Sequence, residues 1–143
     1  MALIDSSGFG HVRLTVTDIA RSKEFYDRLF GFEVAADNSA KVDDPGVRED
    51  PAQFYGGVVY QTPQGTLFGL RPVGSSSFDA DSTGLDHVSF AVSSRADLEA
   101  AAEALTQAGI EHGEVTDLTD AGMAILSIQD PDDINLELAA PLS

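Results

Sequence analysis

The 143-residue sequence contains no cysteine. Disulfides, thiolate metal ligands and a thiol nucleophile are therefore excluded. Basic residues are scarce: 8 Lys and Arg stand against 24 Asp and Glu, a formal net charge of −16. Such a surface repels phosphate backbones and anionic lipid, so neither nucleic acid nor membrane is an expected partner. No apolar run approaches the roughly 18 residues that a membrane span needs. Residues 1–10 lack the basic stretch and apolar core of a signal peptide. A cytoplasmic protein is expected, with a single domain over 1–143 that is long enough for a sizeable core. The acidity has two readings, a solubilising surface or an attraction for a cationic ligand or metal ion.

What the chain does have is a repeat. Gly10-His11-Val12-Arg13-Leu14-Thr15-Val16 and Asp86-His87-Val88-Ser89-Phe90-Ala91-Val92 both alternate with a period of two, and each carries a histidine at the same place. Each reads as a strand. The histidines are 76 residues apart, about half the chain. A duplicated module is the simplest explanation, and histidines in register suggest two half-sites of one metal centre.

In the first copy a strand is expected over 9–17, with Val12, Leu14 and Val16 on one face and His11, Arg13 and Thr15 on the other. A helix follows, capped by Asp18 and ended by Gly31. Its stripe of Ile19, Phe25, Tyr26, Leu29 and Phe30, with the small Ser22, packs on the Val12/Leu14/Val16 face, so His11 looks away from the helix. A strand over 32–36 comes next. Strands over 55–61 and 66–72 form a hairpin about Pro63-Gln64-Gly65, and Gly56-Gly57 fits a bulge in the first of them. Between these lies the polar stretch 38–53, with Asp43, Asp44, Glu49 and Asp50. It is long for a connection and reads either as a mobile acidic surface loop or as a lid over a pocket.

Residues 74–82, rich in Ser, Gly and Asp, read as a connector. The pattern then restarts with a strand over 85–92. Ser94 caps a helix with Asp97 at N3 and an inner face of Leu98, Ala101, Ala102, Leu105 and Ala108, ended by Gly109. Strands are expected over 111–118, 123–128 and 134–139, with Asp130-Pro131-Asp132-Asp133 as the last turn. The order is strand, helix, three strands, twice, with modules at about 9–73 and 84–141.

Four segments carry a family resemblance: Gly10-His11-Val12, the helix end Phe25-Tyr26-Asp27-Arg28-Leu29-Phe30-Gly31-Phe32, Leu85-Asp86-His87-Val88, and Asp130-Pro131-Asp132-Asp133-Ile134-Asn135-Leu136-Glu137-Leu138. With them the sequence resembles the vicinal oxygen chelate superfamily, which includes glyoxalase I, extradiol dioxygenases, fosfomycin-modifying enzymes, methylmalonyl-CoA epimerase and bleomycin-resistance proteins. The resemblance runs from about residue 9 to 141. It implies an α+β fold of two βαβββ modules forming an incompletely closed mixed barrel. It also implies metal ligands from the first and last strands of each module. Carried over, these are His11, His87 and Glu137. The fourth position falls on Gly69, which has no side chain.

Strand alternation independently turns Glu137 away from Leu136 and Leu138, and both histidines away from their helices. Two imidazoles and a carboxylate suit a divalent metal such as Fe, Mn, Zn, Ni or Co, with positions left for water or substrate. The resemblance thus implies a metal-dependent lyase, dioxygenase or transferase with Glu137 as its catalytic residue, a small-molecule substrate bound through oxygen, and a homodimer. The runner-up that it allows is a non-enzymatic protein that sequesters a drug or other ligand, as bleomycin-resistance proteins do, although the retained triad argues against it. That alternative fits the acidity and the Gly69 gap.

Arg13 and Arg71 each lie two residues beyond a ligand position. Each either holds an anionic substrate group or pairs with a local acid. Tyr60 joins them as a substrate-binding candidate. Tyr55, Tyr60, Phe68 and Met123 either line an apolar pocket or, as the default for each, pack in the core. His112 has no counterpart in the first copy and is expected at a loop or strand edge.

Overall fold

The computed structural model describes residues 2–143. They form two compact units, one ending at residue 76 and the other spanning 77–143. In the first, β1 (His11–Thr15), α1 (Ile19–Leu29), β2 (Glu33–Asp37), β3 (Val58–Gln61) and β4 (Leu67–Arg71) follow in order. The sheet order is β1-β4-β3-β2, with β1 parallel to β4 and the other pairs antiparallel. The second unit repeats this with β5 (Val88–Ala91), α2 (Arg95–Gln107), β6 (Thr116–Leu118), β7 (Met123–Gln129) and β8 (Asn135–Pro141), in the order β5-β8-β7-β6. These are the two βαβββ modules of an α+β protein. Neither sheet closes into a barrel. No helix among the described residues is long and apolar enough to cross a membrane.

Each module is a sheet with one face under a helix. Leu14, Val16, Val58, Tyr60, Phe68 and Leu70 are buried on the α1 side. Tyr26 of α1 meets Phe68 edge-on at 5.1 Å. In the second module Ala124, Leu126, Ile128, Leu136, Leu138 and Ala140 are buried with Leu98 and Leu105 of α2. The period of two thus drives one row of each strand out of water, at roughly 2 kcal/mol per large side chain. The caps are those the residues favour. Asp18 accepts from Arg21 N, Ser94 accepts from Asp97 N, and Gly31 and Gly109 take the positive φ that ends each helix. Ala108, expected on the inner face of α2, is exposed because it lies beyond the last helical turn.

Three expectations need correction. The stretch 38–53 is not a loose loop. It folds into 3-10 turns at Ser39–Lys41, Val47–Glu49 and Pro51–Gly56, buries Val47, and is tied to the sheet by Arg48 Nη1 donating to the Pro72 carbonyl at 2.6 Å. Gly56-Gly57 is not a bulge; the register shift lies in β2, between Val34 and Ala36. The glycine at 57 instead admits a close approach, since a Cβ there would sit 1.9 Å from the Leu70 carbonyl oxygen. Finally, the strand over 111–118 contracts to Thr116–Leu118 plus a lone bridge from His112 to Ile128. Its first half, Glu111-His112-Gly113-Glu114, has no apolar row to bury.

Candidate functional site

The exposed-side residues of the second sheet hold the most concentrated chemistry. His87 directly precedes β5, and Glu137 is the third residue of β8. Register places Ser89 opposite Glu137, between Val88 opposite Leu136 and Phe90 opposite Leu138. Because the leucines go under α2, Ser89 and Glu137 share the other face. Ser89 Oγ donates to Glu137 Oε1 at 3.2 Å, and His87 Nε2 lies 3.6 Å from Glu137 Oε2. On the far side of the ring, His87 Nδ1 is 2.7 Å from Asp86 Oδ1.

These contacts give each imidazole nitrogen a carboxylate neighbour. In the neutral ring, an Nδ1 proton donated to Asp86 leaves the Nε2 lone pair facing Glu137. Two electron-pair donors then face each other across 3.6 Å. The space between them can hold a shared cation, either a proton or a divalent ion: the gap is less than twice the roughly 2.1 Å bond of a divalent ion to nitrogen or carboxylate oxygen. Imidazole and carboxylate are suitable donors for such an ion. Among the described residues no group of three or more His, Asp and Glu side chains is gathered as a metal cage.

A cleft of about 540 Å³ covers this pair; Asp86, Glu111, His112 and Gln129 also line it. His112 is held on both sides, its Nε2 2.7 Å from Thr106 Oγ1 and its Nδ1 2.6 Å from the Gly113 carbonyl. It is a strand-edge residue with neither nitrogen free. The charge around the cleft is one-sided. Residues 77–143 carry 14 acidic side chains and one basic, Arg95, which is bound to Glu99 and Asp117.

The first module is built to the same register but furnished differently. His11 opens β1 and is exposed. The position equivalent to Glu137 is Gly69, paired with Arg13 as Glu137 is with Ser89. A Cβ on Gly69 would lie 3.3 Å from Arg13 Cγ and 3.4 Å from its Cδ. The arginine stem therefore fills the place of the missing side chain. Arg71 follows on the same face. Both guanidiniums lie over the ring of Tyr55, with Cζ at 5.1 Å for Arg13 and 4.0 Å for Arg71. Tyr55 reaches them from a backbone at φ 59°, after Phe54 at φ 49°. For bulky residues this costs on the order of 1–3 kcal/mol each, and such strain concentrates at functional sites.

Tyr60 is elsewhere. It is buried on the α1 face, stacked against Phe68, and its hydroxyl donates to Asp27 Oδ1 at 2.9 Å. It is a core residue tying α1 to β3, because its parity on β3 is that of Val58 and opposite to the exposed side. Burial, and then the Asp27 hydrogen bond, push its hydroxyl above the usual tyrosine range. Phe68 is likewise core, while Met123 lies on the alternate row of β7 and is half-buried. Sequence reasoning passed over Asp86 and Ser89. Both had a signal: Asp86 adjoins His87, and Ser89 stands at the same offset from His87 as Arg13 from His11.

The family model described as Glyoxalase/Bleomycin resistance protein/Dioxygenase superfamily matches residues 8–138. No curated protein matches the sequence. Among solved structures, a glyoxylase/bleomycin resistance protein/dioxygenase domain from Frankia sp. EAN1pec is 27% identical, with a TM-score of 0.75 over 96% of this chain and 93% of that one. A glyoxalase/dioxygenase from Nostoc punctiforme is 19% identical, with a TM-score of 0.68 over 100% and 97%. The fosfomycin resistance protein FosX from Listeria monocytogenes is similar in fold. One of its mutants, complexed with Mn(II) and 1S,2S-dihydroxypropylphosphonic acid, is 17% identical, with a TM-score of 0.71 over 96% and 94%.

Proposed function

Because the chain belongs to the Glyoxalase/Bleomycin resistance protein/Dioxygenase superfamily, we propose that it is a small metal-dependent enzyme acting on an oxygen-bearing small molecule. The observation that carries this reading is the Asp86–His87–Glu137 arrangement, in which Nε2 and a carboxylate oxygen face each other at 3.6 Å. His87 and Glu137 are its ligands from the second module. His11 is its ligand from the first, a role that rests on family resemblance. The bound divalent ion would supply Lewis acidity to a substrate oxygen.

The chain's own residues do the rest. Asp86 holds the proton on His87 Nδ1 and fixes the ring plane. Ser89 occupies Glu137 Oε1 and leaves Oε2 on the imidazole side. Loss of Glu137 would remove a ligand and the carboxylate that faces His87 Nε2. Mn(II), present in the Listeria FosX complex, is the first metal to try; Fe, Zn, Ni and Co follow. A homodimer is proposed as the working assembly, to be measured by light scattering.

The test is metal content after reconstitution. About one divalent ion per chain is expected in the wild type, lost in His87→Ala and in Glu137→Ala. A wild type that stays empty with all five metals overturns the reading. Metal retained in both variants overturns the assignment of ligands.

One observation favours a second reading. With 14 acids to one base, the second unit also suits capture of a cationic drug-like ligand. Thermal stabilisation by a cationic glycopeptide, without any by divalent metals, would select it.

A further inference from the structure

Several basic residues of this acidic chain are matched by acids. Lys23 pairs with Asp27 and Asp37, Arg48 with Asp43, and Arg95 with Glu99 and Asp117. Arg13 and Arg71 make no ion pair among the described residues, although ten acids share their unit. Instead both guanidiniums are gathered over one ring, that of Tyr55. Arg71 Nε is buried without a hydrogen-bond partner.

Two like charges held together and a buried charged donor left open are each unfavourable alone. A single anion relieves both. The surroundings are constructed to keep the pair in place. Gly69 leaves room for the Arg13 stem. The platform is fixed by Asp50, whose carbonyl accepts from Tyr55 N at 3.0 Å and whose carboxylate accepts from Ala52 N at 2.9 Å.

We propose that Arg13, Arg71 and the Tyr55 ring form a receptor for a compact oxyanion, with a doubly charged one preferred. The planar forks of the two guanidiniums present N–H groups in the spacing of paired oxyanion oxygens, and the ring covers their faces. The inference goes beyond the metal reading and does not depend on it. The binding itself needs no metal.

The experiment is a titration of the metal-free full chain, followed through the arginine Nε–H resonances. Inorganic phosphate at about pH 8, where it is mostly dianionic, is the probe; acetate is the singly charged comparison. A saturable shift of the Arg71 Nε–H signal is expected. Arg13→Met and Arg71→Met should each weaken phosphate binding by roughly tenfold or more, and Arg71→Lys should weaken it although the charge is kept. Unshifted Arg13 and Arg71 resonances overturn the proposal, as does unchanged affinity in the Met variants. Acetate bound as tightly as phosphate overturns the preference for double charge. If Arg71→Met does not fold, the exposed Arg13→Met variant and the wild-type spectra decide. Metal content is read on separate wild-type protein, so an empty metal site with bound phosphate sinks the metal reading alone, and the reverse result sinks only this one.

Discussion

The Asp86 carboxylate lies 2.7 Å from His87 Nδ1, on the opposite side of the ring from Glu137. This contact decides which nitrogen is offered to the cleft. Asp86→Ala should therefore weaken divalent-metal affinity about 10- to 100-fold without unfolding the protein. Calorimetric titration of the variant with Mn(II) or Zn(II) checks it; unchanged affinity would show that the ring is oriented by other means.

Asp27 receives both Tyr60 and Lys23, at 2.9 and 2.7 Å. Burial and the Asp27 bond raise the tyrosine, and the Asp27 hydrogen bond raises the lysine against the opposing effect of its burial. A raised native value means that the native state holds its proton more tightly than the unfolded chain does. The stability from each group is then complete below its unfolded value, roughly pH 10, and declines as pH rises toward the native value. Tyr60→Phe should lose about 1–2 kcal/mol at neutral pH yet fall less steeply above pH 10 or so. Urea unfolding at several alkaline pH values measures both effects, and parallel curves for the two proteins would contradict the linkage.

Gly57 lies where a methyl group would meet the Leu70 carbonyl at 1.9 Å and the Phe54 carbonyl at 2.9 Å. Both obstacles are backbone and cannot swing aside. Gly57→Ala should cost more than about 3 kcal/mol, at the upper end of single substitutions, and should separate β3 from the turn that carries Tyr55. A melting temperature within a few degrees of wild type would refute this.

Asp130 closes the turn into β8. It is buried, and its Oδ1 accepts from Asp132 N and Ile134 N at 2.8 and 2.9 Å. Asp130→Ala leaves two amides in need of partners, so a loss of about 2 kcal/mol is expected. Because Asn135 and Glu137 follow this turn, metal affinity should fall with stability. An intact affinity in a destabilised variant would separate the turn from the site.

The sequence made the duplicated architecture legible because its informative signals are local. Period-two rows such as Leu136 and Leu138, the caps Asp18 and Ser94, and the terminal glycines Gly31 and Gly109 each act within a few residues. What was not legible depends on distant backbone. Nothing local in residues 38–53 says that Val47 turns inward or that Arg48 reaches Pro72. The parity of Tyr60 was readable, but its link to Asp27 spans 33 residues. The gap at Gly69 was visible as an absence; that Arg13 fills it follows only from the parallel pairing of β1 with β4.

That filled gap makes the two modules hard to interconvert. Placing a glutamate at position 69 alone would not restore the counterpart of Glu137, because its stem would have to share space with the Arg13 side chain, 3.3 Å from the first new carbon. Its carboxylate would sooner neutralise that arginine than wait for another cation. A viable return requires position 13 to shrink first, so the order of the two changes matters. At one register position the two halves thus carry opposite charge, a guanidinium stem in one and a carboxylate in the other, each set by the neighbour across its own parallel strands.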